Sequence, residues 1–435
     1  MRLVARITLA AVFALPVGAV VGFAAASDVP SGATESAPFS GTGMHGENAG
    51  LERPADQSMP YADGAQTRFS DAGATFIKVH FDAMTLAPGD FVTVADMAGH
   101  EVYTYHGDPT QAAAKPKDSG FTVHGTPGFA AMSVSGDTAV VTMHVSGPAQ
   151  TPLETQQTRL AVHVDRFWRG FSPAESTQAN PVPESLCGGV DDRQDRVCYR
   201  DNHPQEFLES AAVGRLVIDG DMFCTAWRVG SSNQLLTNNH CLPTQADVSA
   251  SEVQFGYECQ TCGGNDPTPG VKVGGARLIR TSPELDFTLF SVDNFAAIQQ
   301  FGTLYIDPMP QTDGEQIFIP AHGDAKPLRI ALFDDTAGGA CTLAHAVANS
   351  LNSDYNCDTS AGSSGSPVIS RATGKVIAMH HIGPCPNRGV RMELVFPQIQ
   401  DLIVNQPVPT TAGPGAPAPD AGNVIEIIPR AGAGA

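Results

Sequence analysis

The chain has 435 residues, of which 42% are hydrophobic, and its formal net charge at pH 7 is -20. This length exceeds one ordinary domain and suits two, and the apolar content is sufficient for a folded core. The acidic balance argues against nucleic acid and anionic membranes as partners, because binding to phosphate requires a basic surface.

The N-terminus has the pattern of a secretory signal peptide. Arg2 and Arg6 precede an apolar run at 7–23, and three Ala residues follow at 24–26. We therefore predict a signal peptide over residues 1–26 and a secreted, extracellular protein. The periplasm and an uncleaved anchor are the alternatives. In an oxidising compartment most of the nine Cys residues would form disulfides.

The region after the signal peptide predicts a leader and then a small domain. Residues 27–72 are rich in small and polar residues without hydrophobic periodicity, which predicts a flexible leader. Over 73–169, Ile77 and Val79 alternate with Lys78 and His80, which is typical of a half-buried strand. Similar short runs at 91–94, 101–105, 139–145 and 159–164 predict an N-terminal β-sandwich. We interpret its His residues as solvent-facing rather than metal-binding: 80, 100, 106, 124, 144 and 163.

A second domain follows a linker. Residues 170–185 are rich in Pro and Ser, and all nine Cys residues lie between 187 and 385. This change predicts an all-β domain over 186–405 that ends in an amphipathic helix at 396–405. The tail at 406–435, with one apolar island at 424–428, is predicted to be disordered. Because no disulfide can join the two domains, we expect cleavage in the linker to separate the sandwich.

Three segments of the second domain carry the residue types of nucleophilic catalysis. His240 follows the apolar pair at 235–236, Asp286 precedes a buried run at 287–290, and Ser364 lies in Gly-Ser-Ser-Gly-Ser-Pro at 362–367. A serine hydroxyl needs a neighbouring imidazole to take its proton, and that imidazole needs a buried carboxylate to orient it. The amides of Gly362 and Ser364 could stabilise an oxyanion. Subtilisin-like and α/β-hydrolase chains place these residue types in other orders.

These segments resemble those of trypsin-like serine proteases. LLTNNHC resembles their LTAAHC, DFTLF their DIALL, and GSSGSP their GDSGGP. The strand VIAMHHIG at 376–383 makes the pattern most similar to bacterial lysyl and glutamyl endopeptidases. Over about 185–405 the resemblance implies a chymotrypsin-like double six-stranded β-barrel, with the sandwich as a pre-peptidase domain.

The function that the resemblance implies is that of a secreted serine endopeptidase. In it His240 would be the general base, Asp286 would orient His240, and Ser364 would be the nucleophile. The amides of Gly362 and Ser364 would form the oxyanion hole. Ser363 stands where animal trypsins have Asp, so activation by a freed N-terminal amine is not expected.

The Cys residues predict four disulfides, which leave Cys259 free. Two are Cys224–Cys241, the family's most persistent pair, and Cys341–Cys357, which flank a hairpin before the nucleophile loop; the lysyl endopeptidase pattern implies Cys187–Cys385 and Cys198–Cys262. A zinc site at Cys259 and Cys262 lacks two further ligands at usable spacing. We expect no metal and no cofactor.

Substrate preference rests on four pocket candidates, which are Asp358, His380, His381 and Arg388. Asp358 falls where trypsin has its pocket carboxylate, which favours Lys or Arg before the scissile bond. His380 falls where glutamyl endopeptidases have a pocket His, and Arg388 lies nearby, which favours acidic residues. We predict cleavage after basic residues, with an acidic preference as the alternative.

Two other functions remain open. One is a non-catalytic binding protein on a protease scaffold, and the other is a secreted esterase with the same acyl-transfer site. The expected partners are protein or peptide substrates, with no nucleic acid and, after signal cleavage, no membrane. We expect a monomer.

Overall fold

A computed structural model describes residues 47–107, 128–147, 160–179, 186–334, 338–405 and 423–427. The predicted signal peptide, the first part of the leader and His124 lie outside these residues. Among the described helices, none is long and apolar enough to cross a membrane.

Strands dominate the described chain. The strands of its N-terminal part are β1 (Glu47–Asn48), β2 (Gly50–Ser58), β3 (Gln66–Ser70), β4 (Phe76–Thr85), β5 (Phe91–Asp96), β6 (Glu101–Tyr105), β7 (Phe129–Ala130), β8 (Val134–Ser135), β9 (Thr138–His144) and β10 (Ala161–Gly170).

The C-terminal part continues the count. Its strands are β11 (Gln194–Asp195), β12 (Val213–Ile218), β13 (Met222–Arg228), β14 (Leu235–Thr237), β15 (Ser251–Phe255), β16 (Val271–Ser282), β17 (Phe287–Val292), β18 (Ile317–Ala321), β19 (Arg329–Ala331), β20 (Phe333–Asp334), β21 (Gly339–Ala340), β22 (Leu343–His345), β23 (Asn352–Tyr355), β24 (Pro367–Ser370), β25 (Val376–Ile382), β26 (Asn387–Arg391) and β27 (Asn423–Ile427). The helices are α1 (Pro173–Ala179), α2 (Pro204–Ser210), α3 (Gln245–Ala250), α4 (Phe295–Ile298) and α5 (Met392–Ile399), with 3-10 turns at Arg196–Tyr199, Gln299–Phe301 and Gly323–Ala325.

The N-terminal part is a sandwich of two sheets. One sheet has the order β2-β10-β4-β7, with β8 also paired to β4, and the other has the order β27-β6-β5-β9-β3. Phe81, Tyr103, Val141 and Val164 are fully buried between them and belong to one apolar cluster. Burying such alternating apolar side chains is what stabilises two facing sheets.

The C-terminal part contains a closed barrel and a half-barrel. The first barrel has the order β13-β12-β15-β16-β17-β14 and closes because β13 also pairs with β14. The second sheet runs β11-β19-β18-β24-β25-β26-β23-β22, and a bridge between Gln316 and Thr342 links β18 to β22. Trp227, Phe287, Phe318 and Met379 pack in one core cluster shared by both. The predicted chymotrypsin-like fold class is confirmed.

Several segments differ from their sequence-based predictions. The predicted flexible leader contains β1, β2 and β3, and the linker contains α1. Most side chains of β2 are exposed because it is an edge strand, so its sequence lacks hydrophobic alternation. The tail contains β27, which pairs in parallel with β6. The last helix of the domain, α5, covers Met392–Ile399 rather than 396–405.

The prediction that Lys78 and His80 face solvent is wrong. Both are at most 2% exposed, because β4 is covered on one face by the sandwich core and on the other by the barrel. His80 Nδ1 lies 2.5 Å from Asp165. Lys78 donates to Glu252 of the barrel at 3.0 Å. A period-two pattern cannot reveal this second covered face, because the buried polar residues are paired across it.

Charged groups connect the sandwich to the first barrel. We call Lys78, Glu101 and Ser133 of the sandwich, together with Glu252 and Lys272 of the barrel, the interface charge cluster. Lys272 lies 2.9 Å from Glu101 and donates to the carbonyl of Ser133 at 3.0 Å, and the Ser133 amide donates to Glu252 at 2.9 Å. The four charged side chains are at most 3% exposed. Buried charges of this kind are tolerated only when they are paired.

Candidate active site

His240 is placed by the end of β14. The Asn238 side chain donates to the carbonyl of Asp286 at 2.9 Å, which joins the two loops. The disulfide between Cys224 and Cys241 fixes the residue after His240 to β13. The imidazole is therefore held on a short, covalently tied loop, and its side chain is only 11% exposed.

Asp286 accepts three hydrogen bonds. They come from the amide of His240 at 2.9 Å, from His240 Nδ1 at 2.8 Å and from His381 Nδ1 at 3.0 Å. Burial alone would raise the pKa of Asp286, but these bonds from His240 and His381 hold it well below its usual range. Asp286 is thus a carboxylate shared by two imidazoles.

The loop that carries Ser364 is fixed to β13 through Thr225. The Thr225 amide donates to the carbonyl of Ser364 at 2.8 Å, and its hydroxyl donates to the carbonyl of Gly362 at 2.9 Å. Gly362 and Gly365 have φ values of 87° and 88°. A Cβ on Gly365 would lie 2.1 Å from the carbonyl oxygen of Thr225, so this close approach requires glycine.

The amides of Gly362 and Ser364, which the sequence predicts as oxyanion donors, have no recorded acceptor in the described chain. Within the described ranges, neither amide donates a hydrogen bond to another protein group. The carbonyls of both residues are held by Thr225, so the orientation of the loop is fixed before any ligand binds. Preorganised donors of this kind stabilise developing negative charge.

The carboxylate of Asp358, a predicted pocket residue, is occupied by backbone hydrogen bonds. Its two oxygens accept from the amides of Cys187 and Asp192, both at 2.8 Å. Burial raises the pKa of this carboxyl group. The Arg193 side chain nearby donates to the Ser360 hydroxyl and to Asp324. Asp358 and Arg193 therefore attach the segment at 187–193 to the base of the nucleophile loop.

The pocket candidates His380 and His381 have different environments. His381 is turned towards Asp286, with its Nε2 atom 2.7 Å from the side-chain oxygen of Asn352, so it does not line a specificity pocket with His380. His380 is buried and lies 2.9 Å from the Tyr355 hydroxyl. Burial lowers the pKa of His380 to about 3, so it is neutral at ordinary pH. Neighbours on a strand point to opposite faces, which explains why the two His residues diverge.

Arg388 lies opposite Asp354 on the neighbouring strand. It is partly buried, and in the described chain its Nε atom has no hydrogen-bond partner.

Three of the four predicted disulfides are formed. They are Cys187–Cys385, Cys198–Cys262 and Cys224–Cys241, and Cys259 is free as predicted. The predicted disulfide between Cys341 and Cys357 is wrong, since both residues are free thiols. They are fully buried in an apolar cluster of the half-barrel, where thiols pack as small hydrophobic side chains.

The only group in the described residues that could hold a metal ion is Cys224, His240 and Cys241. Its two sulfur atoms are joined in a disulfide, so they cannot act as thiolate ligands.

Comparisons with known proteins agree with this arrangement. Residues 224–379 match the family model of the trypsin-like peptidase domain, and they include all three residues of the predicted triad. The chain contains a trypsin-like peptidase domain. The predicted family resemblance is thus confirmed.

Two curated relatives and one solved structure match parts of the chain. Secreted RxLR effector protein 73 of Plasmopara viticola is 29% identical over 334 residues, which cover 73% of this chain and 77% of that protein. Uncharacterized protein y4fB of Sinorhizobium fredii is 32% identical over 216 residues, which cover 46% of this chain and 31% of that protein. A solved structure of Glu endopeptidase in complex with MPD is 18% identical with a TM-score of 0.38, covering 50% of this chain and 99% of that chain.

Sequence patterns did not reveal the contacts of two side chains near Asp286 and Ser364, which are Thr225 and the pocket candidate His381. Thr225 lies in an apolar strand, and nothing in the sequence distinguishes it from a core residue. His381 could have been separated from His380 by strand alternation alone. Its contact with Asp286 depends on the way the two barrels meet.

Proposed function

We propose that the protein is a serine endopeptidase in which His240, Asp286 and Ser364 act as the catalytic triad. The observation that carries the proposal is the hydrogen-bonded pair of Asp286 and His240 at 2.8 Å, beside a Ser364 loop whose carbonyls are fixed by Thr225. A buried carboxylate on Nδ1 leaves the other ring nitrogen free to accept a proton. This arrangement supports acyl transfer.

In the proposed reaction, His240 takes the proton of Ser364 as Oγ attacks the substrate carbonyl carbon. The amides of Gly362 and Ser364 stabilise the oxyanion that forms. His240 then gives the proton to the leaving amine, the C–N bond breaks, and a water molecule hydrolyses the acyl ester. The low pKa of Asp286 keeps it ionised, so that it stabilises the imidazolium ion in each step.

His381 is proposed as a positioning residue in the same reaction. It donates to the oxygen of Asp286 that also accepts from His240 Nδ1. Asn352 on the far side fixes the His381 ring. By holding the carboxylate, His381 would fix the orientation of His240 without touching the substrate.

The residue preference before the scissile bond stays a prediction. Cleavage after Lys or Arg would require a free carboxylate, and both oxygens of Asp358 are already bonded to amides. The acidic alternative is supported by Arg388, whose Nε atom lacks a partner in the described chain, and by neutral His380 as a hydrogen-bond donor. We therefore favour acidic residues over the basic preference predicted from sequence. Sequencing the products of a peptide library would decide between them.

We further propose that the protein acts outside the cell as a monomer on protein or peptide substrates. The three disulfides support an oxidising compartment, and the P. viticola relative is named as a secreted protein.

Labelling with a fluorophosphonate probe tests the catalytic proposal directly. We expect one label per chain, located on Ser364 by peptide mapping and absent from Ser364→Ala. A folded protein that takes no label would favour the non-catalytic binding function. An enzyme that takes the label and hydrolyses small esters but not casein would favour the esterase.

A further inference from the structure

Each proposed oxyanion donor shares a planar peptide unit with the carbonyl of the residue before it. The Gly362 amide belongs to one unit with the carbonyl of Ala361. The Ser364 amide belongs to one unit with the carbonyl of Ser363. Both peptide bonds are trans, so the N–H and C=O bonds of each unit point in opposite directions. The group that holds each carbonyl therefore determines the direction of the amide.

The two carbonyls are held by different parts of the chain. The Ser363 carbonyl accepts from the amide of Ser366 at 2.9 Å, within the nucleophile loop itself. The Ala361 carbonyl accepts from the amide of Asp324 at 2.8 Å. Asp324 lies outside the loop, in the 3-10 turn that follows β18. The direction of the Gly362 amide thus depends on where that turn is held.

Arg193 connects this turn to the nucleophile loop. Its Nη2 atom donates to the Asp324 carboxylate at 3.0 Å, and its Nη1 atom donates to the hydroxyl of Ser360. Its Nε atom donates to Asp191 at 2.9 Å, and the Arg193 side chain is only 4% exposed. A guanidinium presents its donors in one rigid plane, so a single side chain fixes the positions of these three partners.

The backbone of the turn explains why it needs such support. Asp324 and Ala325 have φ values of 58° and 56°, in the left-handed region that residues with a Cβ rarely adopt. A Cβ on Gly323 would lie 2.2 Å from the Ser360 hydroxyl oxygen, so the turn packs directly on the loop. We expect the turn to relax when its ion pair is removed, and its bond to the loop would then be lost.

We propose that Arg193 is a positioning residue for the proposed oxyanion hole. Through Asp324 it holds the Ala361 carbonyl, which keeps the Gly362 amide turned towards the oxyanion. The proposal rests on the proposed role of Ser364, and Arg193 does not touch the substrate. Without Arg193 the peptide unit can rotate, and the oxyanion keeps a single fixed donor.

Arg193→Gln and Asp324→Gly each remove one side of the ion pair. Asp324→Gly keeps the backbone amide, and glycine adopts a left-handed φ without strain. When Arg193 is replaced, both of its carboxylate partners still lie near Arg329, at 2.7 and 3.9 Å. We expect kcat to fall about 10²-fold in either variant, because one oxyanion donor loses its fixed direction. KM should stay within about twofold, because the substrate carbonyl is not yet an oxyanion when the substrate binds.

Arg371→Gln is the matched control for the loss of an ion pair. Arg371 is also partly buried and donates to a carboxylate, that of Glu206, at 2.7 Å. Its kcat should stay within about twofold of the wild-type value. The double variant of Arg193→Gln and Asp324→Gly should be no slower than the slower single variant, since both act on one hydrogen bond. Effects that multiply would contradict action through Asp324.

A peptide aldehyde distinguishes positioning from a general loss of folded protein. Its adduct with Ser364 places an oxyanion on the two amides, and its inhibition constant does not depend on how much of the protein is folded. We expect this constant to rise in Arg193→Gln by the same factor by which kcat falls. The inhibition constant of a cleaved product peptide should stay within about twofold, because its binding forms no oxyanion. An unchanged constant for the aldehyde would overturn the inference.

Labelling by a fluorophosphonate separates this inference from the proposed function. A wild-type protein labelled at Ser364, whose Arg193→Gln variant is folded and keeps its kcat, would overturn the inference alone. A wild-type protein without any label would overturn the proposed function as well. If Arg193→Gln does not fold, Asp324→Gly decides by the same measurements.

Discussion

The polar groups of the peptidase domain near Asp286 and those at its interface with the sandwich differ in their exposure to solvent. In the peptidase domain, Asp286, His240 and His381 form a chain of hydrogen bonds beside a partly exposed serine loop. At the interface with the sandwich, Lys78, Glu252 and their neighbours are sealed from solvent. The first set holds the imidazole of the proposed general base, and in the second set every charge is paired. The two regions should therefore respond differently to the same kind of substitution.

The largest expected effect separates activity from stability. Ser364→Ala removes the proposed nucleophile, and turnover should fall by about 10⁴-fold or more. The free energy of unfolding should change by less than about 0.5 kcal/mol, since the loop is held by backbone contacts of Thr225. Proteolysis rates and denaturant unfolding measure the two quantities. Exposed Ser350→Ala is the control, and a Ser364→Ala protein with a tenth of wild-type activity would refute the assignment.

At the interface charge cluster we expect the opposite result, a large loss of stability from a substitution that does not change the proposed catalytic residues. Lys272→Met leaves Glu101 buried without its partner, which should cost about 3–5 kcal/mol of unfolding free energy. The same substitution at exposed Lys375 serves as the control and should change little. Denaturant unfolding followed by two spectroscopic probes measures the loss. A cost below about 1 kcal/mol would mean that Glu101 is reached by water.

Deletion of the sandwich tests whether the stability cost at the interface comes from burying an unpaired charge. A chain that starts at residue 186 would expose Glu252 and Lys272 to water instead of leaving them buried and unpaired. We therefore expect the deletion to reduce the stability of the barrels by less than Lys272→Met reduces that of the full chain. The sequence-based prediction that the sandwich is separable can be tested by the same protein. Aggregation through newly exposed Phe223, which packs against Phe76 of the sandwich, would count against it.

The pH dependence of the interface follows from Glu252. Burial alone would raise its pKa, but Lys78, Lys272 and the Ser133 donors lower it from 4.5 to about 2. A lowered folded-state pKa contributes stability above the unfolded value, and this is lost as the pH falls from about 4.5 to about 2. The full effect is about 3 kcal/mol. The slope of the unfolding free energy against pH in this range should be smaller in Glu252→Gln by the contribution of one group, and an unchanged slope would assign it to other carboxylates such as Asp286.

What the sequence could predict differs between the two regions for a physical reason. The proposed catalytic segments are short motifs whose residue types are set by chemistry, so His240, Asp286 and Ser364 could be proposed without a structure. Lys78 and His80 of β4 looked like a solvent face because their partners, Glu252 and Asp165, lie 174 and 85 residues away in the sequence. Similarly, β2 pairs through its backbone and carries few apolar side chains, so its sequence resembles a flexible leader.

The smallest predicted effect concerns His381, which the sequence placed among the pocket candidates and which the structure places against Asp286. Asn at this position places its amide nitrogen where Nδ1 lies and keeps the donor to Asp286, whereas Leu removes it. His381→Leu should lower kcat about tenfold, the equivalent of one hydrogen bond to a charged group. KM should stay within about twofold, because His381 acts on Asp286 rather than on the substrate. His381→Asn should recover most of kcat, and steady-state kinetics of the three proteins on one peptide compares them. If Asn were as slow as Leu, His381 would matter for packing against Asn352, and if neither variant were slower, His240 alone would be enough to orient Asp286.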